Sequence, residues 1–351
     1  MSEVLQIVPR LPPVVDGLGD YAVLLAESLA GCGITSRFLV SDRTRASTES
    51  GPPALVLTDH SAAGIELALA GHRDVLLHFV NYAYEPTRGC PWWLLDGLAR
   101  WRQAHRECRL VVMFHELYAM AWPWRKAFWY SAPQRAISAE LARLADACWT
   151  SNQRYARWLE RILGRTVPVT PVLSNMGEPT AITPWAEREP ALVVFGRAVN
   201  RQRAYHALRQ ELVLLGRLHG LTTIHDVGAP LAHPVRLPGF TITHHGLLPT
   251  AELSPLLQRC RAGIIHNDGS PLAKSGVAAA YAAHGVAIAC EAGQGGEDGL
   301  VPGHNLLVLD GDLNTPLERI ATQGHRWYQQ HDRLHLAALI VPWFRSPVAV
   351  N

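Results

Sequence analysis

No apolar run approaches the roughly 18 residues that a membrane-crossing helix needs, so no transmembrane segment is expected. The N-terminus has no charged stretch leading into a long apolar core, so no secretory signal is expected either. Paired cysteines are missing: Cys32, Cys90, Cys108, Cys148, Cys260 and Cys290 are scattered without a CxxC motif. They read as reduced thiols of a cytoplasmic protein. Among 17 histidines there is no HExxH or comparable ligand set, so no metal centre is expected. An excess of one charge is absent too. Lys and Arg number 32 against 30 acids, a net charge of +2, which gives no reason to expect a nucleic-acid partner. There is no short-period repeat and no low-complexity segment. What remains is a 351-residue chain, 48% hydrophobic, long enough for two globular domains.

Apolar runs alternate with helical patterns along nearly the whole chain. Strands are expected near 4–8, 38–40, 55–57, 75–80, 110–114, 147–150 and 167–173, and helices over 18–30, 92–105, 134–144 and 154–162. The stretch NMGEPTAITPWAEREP (175–190), with three prolines and mixed charge, reads as a linker. The alternation then restarts. Strands are expected near 191–196, 223–227, 241–243, 262–266, 286–289 and 306–309, with a helix over 204–218. Apolar strands separated by helices imply parallel sheets covered on both faces, here in two doubly wound domains. Ligands of such sheets bind beyond the carboxyl ends of the strands, here expected in a central cleft that the domains face.

The first loop contains Gly17-x-Gly19-x-x-Ala22, and Asp42 follows the run Phe38-Leu39-Val40. That combination suggests a dinucleotide site and a nicotinamide dehydrogenase. However, the first glycine of that fingerprint closes a tight turn directly after its strand. Here PRLPPVVD intervenes, a longer and stiffer loop with three prolines. The glycines lie just before a helix, where unpaired amides suit an anion and Gly19 lets backbone pass close to a sugar. A plain strand-to-helix loop is the alternative.

The order of Pro12-Pro13, Gly17, Gly19, Tyr21, Leu25-Ala26, Leu29 and Gly33 resembles the opening of GT-B glycosyltransferases of the retaining group 1, family 4 type. VVFGR (193–197), HGLLPTAELSPLLQRCRAGII (245–265) and GGEDGLVPGHNLLVLDGD (295–312) are similar to later segments of that family. The resemblance spans nearly the whole chain. It implies an α/β GT-B fold with two Rossmann-like domains: 1–178 for the acceptor and 190–325 for a nucleotide-diphosphate sugar. A helical segment, 326–351, packs back on the first domain. It also implies retaining, metal-independent transfer to a carbohydrate or glycolipid hydroxyl, with the nucleotide sugar as co-substrate and no further cofactor. Polysaccharide or glycoconjugate synthesis is the expected setting, in the cytoplasm or at the inner face of a membrane.

One departure is clear. Where the family has a Glu, seven residues and a second Glu, this chain reads PLAKSGVAAAYAAHG (271–285). Aligned on the terminal glycine, the acids would fall at Leu272 and Ala280. Lys274, Ser275 and Gly276 stand at the start of a small-residue helix instead. They form either a phosphate cradle or a capped helix with a solvated lysine. Arg197, with Arg201 or Arg203 after it, would add charge on the leaving diphosphate, although both of the latter also read as surface residues. Gly17, Gly19 and Glu297 complete the expected donor set, with helix capping the alternative for Glu297. Asp310-Gly311-Asp312 reads as a loop and helix N-cap rather than a metal site.

In the first domain, DVLLHFVNYAYEP and LVVMFHELY end buried strands in polar groups. His115 and Glu116 resemble the family's strand-end His-acid position, and with His78 they form the expected catalytic set. His115 would hydrogen-bond the donor sugar or handle the acceptor proton. A satisfied core histidine is the alternative, more so for His78, which lies deeper in its strand. Asn81, Trp122 and Trp124 are the expected acceptor contacts. Trp122, Trp124, Trp129 and Tyr130 surround Arg125 and Lys126, a pattern that suits sugar rings, a peripheral membrane contact, or plain packing. GCPWWLL (89–95) reads as a helix start packed by its tryptophans. A non-catalytic sugar- or nucleotide-binding protein on the same fold is the alternative function, favoured by the missing acids.

Overall fold

In a strand covered on both faces, neither side of the pleat reaches water, and β1 (Ser2–Val8) has this character along its last five residues. The computed structural model describes residues 2–12, 14, 17–41, 52–120, 122–266, 271–291 and 298–345. The chain forms two units, Met1–Thr170 with Arg333–Asn351, and Pro171–Asp332.

In unit 1, β1 is followed by α1 (Gly17–Gly31), β2 (Ile34–Val40), β3 (Ala54–Val56), α2 (Ala62–Ala68) and β4 (Asp74–Phe79). Then come α3 (Asn81–Tyr84), α4 (Trp92–Ala104), β5 (Arg109–Phe114), α5 (Lys126–Leu144), β6 (Ala147–Thr150) and α6 (Gln153–Leu163). In unit 2 the order is β7 (Ala191–Phe195), α7 (Ala198–Ala207), α8 (Arg209–His219), β8 (Thr223–Val227), β9 (Thr241–Gly246) and α9 (Thr250–Arg259). β10 (Ala262–Ile265), α10 (Gly276–Ala283), β11 (Ala287–Cys290), β12 (Leu307–Val308) and α11 (Leu317–Gln329) complete it. The last helix, α12 (Arg333–Arg345), belongs to unit 1. There Trp343 packs on Trp149 with ring centroids 5.6 Å apart, and Arg333 pairs with Glu27 at 3.1 Å.

The sheets run β3-β2-β1-β4-β5-β6 and β12-β11-β10-β7-β8-β9, both parallel throughout. Read in chain order within each unit, the two orders are the same doubly wound pattern. Strand order reverses between β1 and β4 and between β7 and β10, and ligands of such sheets sit beyond the carboxyl ends at that reversal.

Several expectations are corrected. The run 167–173 makes only an isolated bridge, Thr150 to Val169, because Pro168 and Pro171 cannot donate to a ladder. The helix expected over 204–218 is two helices broken at Leu208, and α5 begins at Lys126 with Pro133 inside it. The division between units falls at 170/171 and 332/333, not near 178–190 and 325/326. The stretch read as a linker is packed into unit 2 by Arg188. Its buried guanidinium donates to the Thr183, Cys260 and His284 carbonyls at 3.1, 3.0 and 2.9 Å. Burial lowers this arginine to about 10. Trp92 is exposed at the start of α4 rather than packed, while Trp93 stacks on His60.

Candidate functional site

At the carboxyl edge of the unit 1 sheet, β4 delivers His78 and β5 ends just before His115 and Glu116. His78 is fully buried. Its Nε2 lies 2.8 Å from the Gln6 Oε1 on β1, and its Nδ1 lies 3.2 Å from the His115 Nε2. Gln6 donates from its own Nε2 to the Ser36 hydroxyl at 2.8 Å, which leaves Oε1 as its acceptor. These partners fix the tautomers: His78 donates from Nε2 to Gln6 and accepts at Nδ1 from the Nε2–H of His115. Burial pushes His78 down to about 3, so it stays neutral near pH 7. The Nε2–H of His115 is thereby committed to His78. His78 touches His115 and is sealed from solvent, so any part it has in the chemistry would be taken through His115.

The surrounding strand ends are braced. The Tyr84 hydroxyl lies 2.8 Å from the His78 carbonyl and 3.1 Å from that of Ile7, at the β1–β4 reversal. Asn81 is buried, and its amide donates to the Leu117 carbonyl at 2.6 Å, as does the Ser138 hydroxyl at 2.5 Å. The donor half of Asn81 therefore holds the loop after His115. Thr150 donates to the Phe114 carbonyl at 2.8 Å. The Tyr21 ring, from α1, stands edge-on to His115 at 5.0 Å and 89°.

The two loop glycines differ. A Cβ at Gly19 would sit 2.6 Å from the Arg10 carbonyl oxygen and 3.1 Å from the Leu11 Cα, so this glycine lets α1 approach the loop that follows β1. Gly17 opens α1 with nothing within 4 Å of such an atom. The loop from Pro9 to Gly17 is longer than a dinucleotide turn requires. Asp42, the acid of that reading, lies outside the described residues, as does Glu297.

In unit 2, β7 ends at Phe195. Gly196 follows at φ +119°, and Arg197 N-caps α7 with its side chain exposed. Arg203 is also exposed on α7. Arg201 is neither a surface residue nor a ligand for a diphosphate. It is buried, with its guanidinium on Asp226 and on the Ala229 carbonyl, and it donates to the Gly196 carbonyl at 3.0 Å. Tyr205 donates to the other Asp226 oxygen at 2.8 Å. Arg201 thus shapes the strand ends beside Arg197.

Lys274 closes a 3₁₀ turn (Leu272–Lys274), and Ser275 caps α10, its Oγ accepting from the Ala278 amide at 3.2 Å. Capping uses the oxygen as acceptor and leaves the hydroxyl proton to donate. Gly276 is the first residue of α10, and a Cβ there would meet the Asn175 Oδ1 at an ordinary 3.4 Å. Leu272 and Ala280, where the resemblance would place acids, are buried in the apolar core. Asp312 does not cap a helix. Its carboxylate accepts from the Asn314 backbone amide at 3.0 Å in a local turn, and α11 starts after Pro316.

A pair not singled out from sequence stands at the same edge. His266 follows β10, Glu291 follows β11, and the His266 Nδ1 lies 3.1 Å from the Glu291 Oε2. His266 occupies the strand-end position that drew attention to His115, so the signal was present in AGIIH. Among the described residues, the one trio of metal-capable side chains is His105, Glu107 and Cys108. It precedes β5, at the opposite edge of the sheet from His115.

Trp122 and Trp124 stack on each other, ring centroids 5.2 Å apart and planes 6° apart. Both are exposed, as is Trp129, so packing is not their role. No helix among the described residues is long and apolar enough to cross a membrane. All six cysteines are free thiols.

No family model and no curated protein matches this chain. Solved structures do. Sucrose-phosphate synthase from Thermosynechococcus elongatus aligns with a TM-score of 0.66 at 12% identity, covering 98% of each chain. HepE from Anabaena, solved with UDP-glucose, gives 0.62 at 14%, over 97% of this chain and 98% of that one. An alpha-glucosyltransferase solved with UDP gives 0.58 at 10%, over 95% and 96%. At these identities the likeness establishes the fold: two Rossmann-like α/β domains of GT-B type.

Proposed function

We propose that this chain is a glycosyltransferase that moves a sugar from a nucleotide-diphosphate donor to a hydroxyl of a carbohydrate or glycolipid acceptor. The observation that carries the reading is the polar equipment of both sheets at their carboxyl edges. Unit 1 offers His115 held by a neutral relay, and unit 2 offers Arg197 and the Lys274–Gly276 start of α10. Neighbours on this fold were solved with UDP or UDP-glucose, which supports a uridine donor. Unit 2 holds the diphosphate through Arg197, Lys274, the Ser275 hydroxyl and the α10 amides, with Arg203 as a further contact. Gly17 and Gly19 remain part of this proposed donor set.

As the bond from the sugar's anomeric carbon to the diphosphate breaks, negative charge grows on the departing oxygen. Cationic side chains and helix amides stabilise it there, and no metal ion is required. The acceptor hydroxyl attacks from the same face, giving retention. His115 holds the donor sugar or handles the acceptor proton, with Glu116 beside it. Asn81 orders the loop that presents them, and the setting is cytoplasmic glycoconjugate or polysaccharide synthesis.

A second reading is a nucleotide-sugar-binding protein without turnover. It draws on the apolar burial of Leu272 and Ala280, where related enzymes carry acids. Incubation with a panel of nucleotide sugars and acceptors separates the two. The transferase reading requires donor-dependent product. Saturable donor binding with neither transfer nor hydrolysis favours the binding protein.

A further inference from the structure

Helix α5 has its first fully buried residue at Gln134; over 126–133 Lys126, Phe128, Trp129 and Ala132 are exposed and the rest half-buried. That half of the helix carries Phe128, Trp129 and Tyr130, and it is preceded by Trp122 and Trp124. Trp122 is 68% exposed, Trp124 77% and Trp129 71%. Single exposed apolar residues are ordinary, but a contiguous exposed group of this size marks an interaction surface.

The polar residues of the segment narrow the occupant. Arg125 and Lys126 are exposed among the aromatics and pair with no acid among the described residues. From 117 to 139 the sequence has no Asp or Glu. A second copy of the chain on this surface in a two-fold contact would set Arg125 and Lys126 against the same cations, with no acid between them. A bilayer with anionic headgroups supplies the missing charge. Indole and phenol rings seat their apolar bodies at the acyl boundary with the polar edge in the headgroups, and long cationic side chains reach the phosphates.

We propose that the exposed aromatics at the start of α5, together with Trp122 and Trp124, dock on the surface of an anionic lipid bilayer. The contact is peripheral, and it does not depend on the transferase reading.

The test is vesicle flotation of the full chain, with phosphatidylcholine alone and with phosphatidylcholine mixed with phosphatidylglycerol. The wild type is expected to float with the mixed vesicles only, to release as salt is raised, and to shift its tryptophan emission to the blue when bound. Arg125→Ala/Lys126→Ala should weaken partition about twenty-five-fold, since each cation near such a surface contributes about a factor of five. Trp124→Ala/Trp129→Ala should abolish both flotation and the emission shift while circular dichroism and melting stay unchanged, because neither ring is packed in the core. The proposal is overturned by a wild type that does not float with the anionic vesicles, or by variants that float as it does. It is also overturned if the wild type self-associates through this face, so that both double variants become monomeric and vesicle binding is absent.

Discussion

Replacing each of the two loop glycines by alanine separates a packing role from a ligand role. At Gly19 the added methyl would stand 2.6 Å from the Arg10 carbonyl oxygen and 3.1 Å from the Leu11 Cα. Both are backbone atoms, so no side chain can swing aside, and α1 or the loop after β1 must shift. Overpacking of this kind costs about 1–3 kcal/mol. Alanine's better helix propensity returns up to about 1 kcal/mol, leaving a net loss of about 1–2 kcal/mol. For a unit of this size that is a drop of about 2–8 °C in the unit 1 transition. At Gly17 the methyl meets nothing within 4 Å, so Gly17→Ala should melt as the wild type does or slightly higher. If the amide of Gly17 lies against the donor, the same methyl should weaken donor binding at constant Tm. Calorimetry of both variants, with donor titration into Gly17→Ala, reads both effects. A Gly19→Ala protein that melts with the wild type would refute the claim that this glycine is required for the approach of α1 to the loop. Unchanged donor affinity in Gly17→Ala would remove the N-terminal glycines from the donor site.

Lys274→Ala should lower affinity for the nucleoside diphosphate by about one to two decades, because a charge-assisted contact is worth about 1.5–3 kcal/mol. Lys274→Glu should be worse, and titration calorimetry showing neither effect would move the donor site elsewhere. Arg188→Met should destabilise unit 2 by about 3–5 kcal/mol, since three buried carbonyls lose a cationic donor at once. Urea denaturation showing under 1 kcal/mol, roughly the value of one neutral hydrogen bond, would contradict that account. Stability should fall as the pH drops below about 6.5, the ordinary value for histidine. Burial holds folded His78 to about 3 and His284 to about 4, so the unfolded chain binds protons first. Each contributes stability that is fully present above the unfolded value, falls by up to about 1.4 kcal/mol per pH unit below it, and is spent once the folded value is reached. His78→Gln with His284→Gln should flatten the curve between those limits. An identical curve for the double variant would place the acid sensitivity in other groups.

The strand-end residues His115, Glu116 and Arg197 were legible because a parallel sheet converts a one-dimensional signal, the end of an apolar run, into a position in space. The relay behind His115 was not. Gln6 lies 72 residues from His78, and nothing local marks a glutamine in the middle of β1 as the acceptor that sets the tautomer of a distant imidazole. Arg201 was misread for the same reason. Its partner Asp226 sits 25 residues on, at the end of the adjacent strand β8, and an arginine in the first turn of the next helix looks the same in sequence whether it meets water or a buried carboxylate. Pro133 concealed the start of α5 because proline is ordinarily a boundary. Yet the helix runs through it from Lys126, and that concealed half carries the exposed aromatics. Periodicity arises from burial against one's own core. A helical segment that keeps its apolar groups for an outside partner has no reason to show that periodicity, so its chemistry is visible in composition while its structure is not. The same argument applies to Leu272 and Ala280. Both are core positions of unit 2, so under the proposed transferase reading the donor's hydroxyls would be held by other groups at the carboxyl edge, where His266 and Glu291 stand.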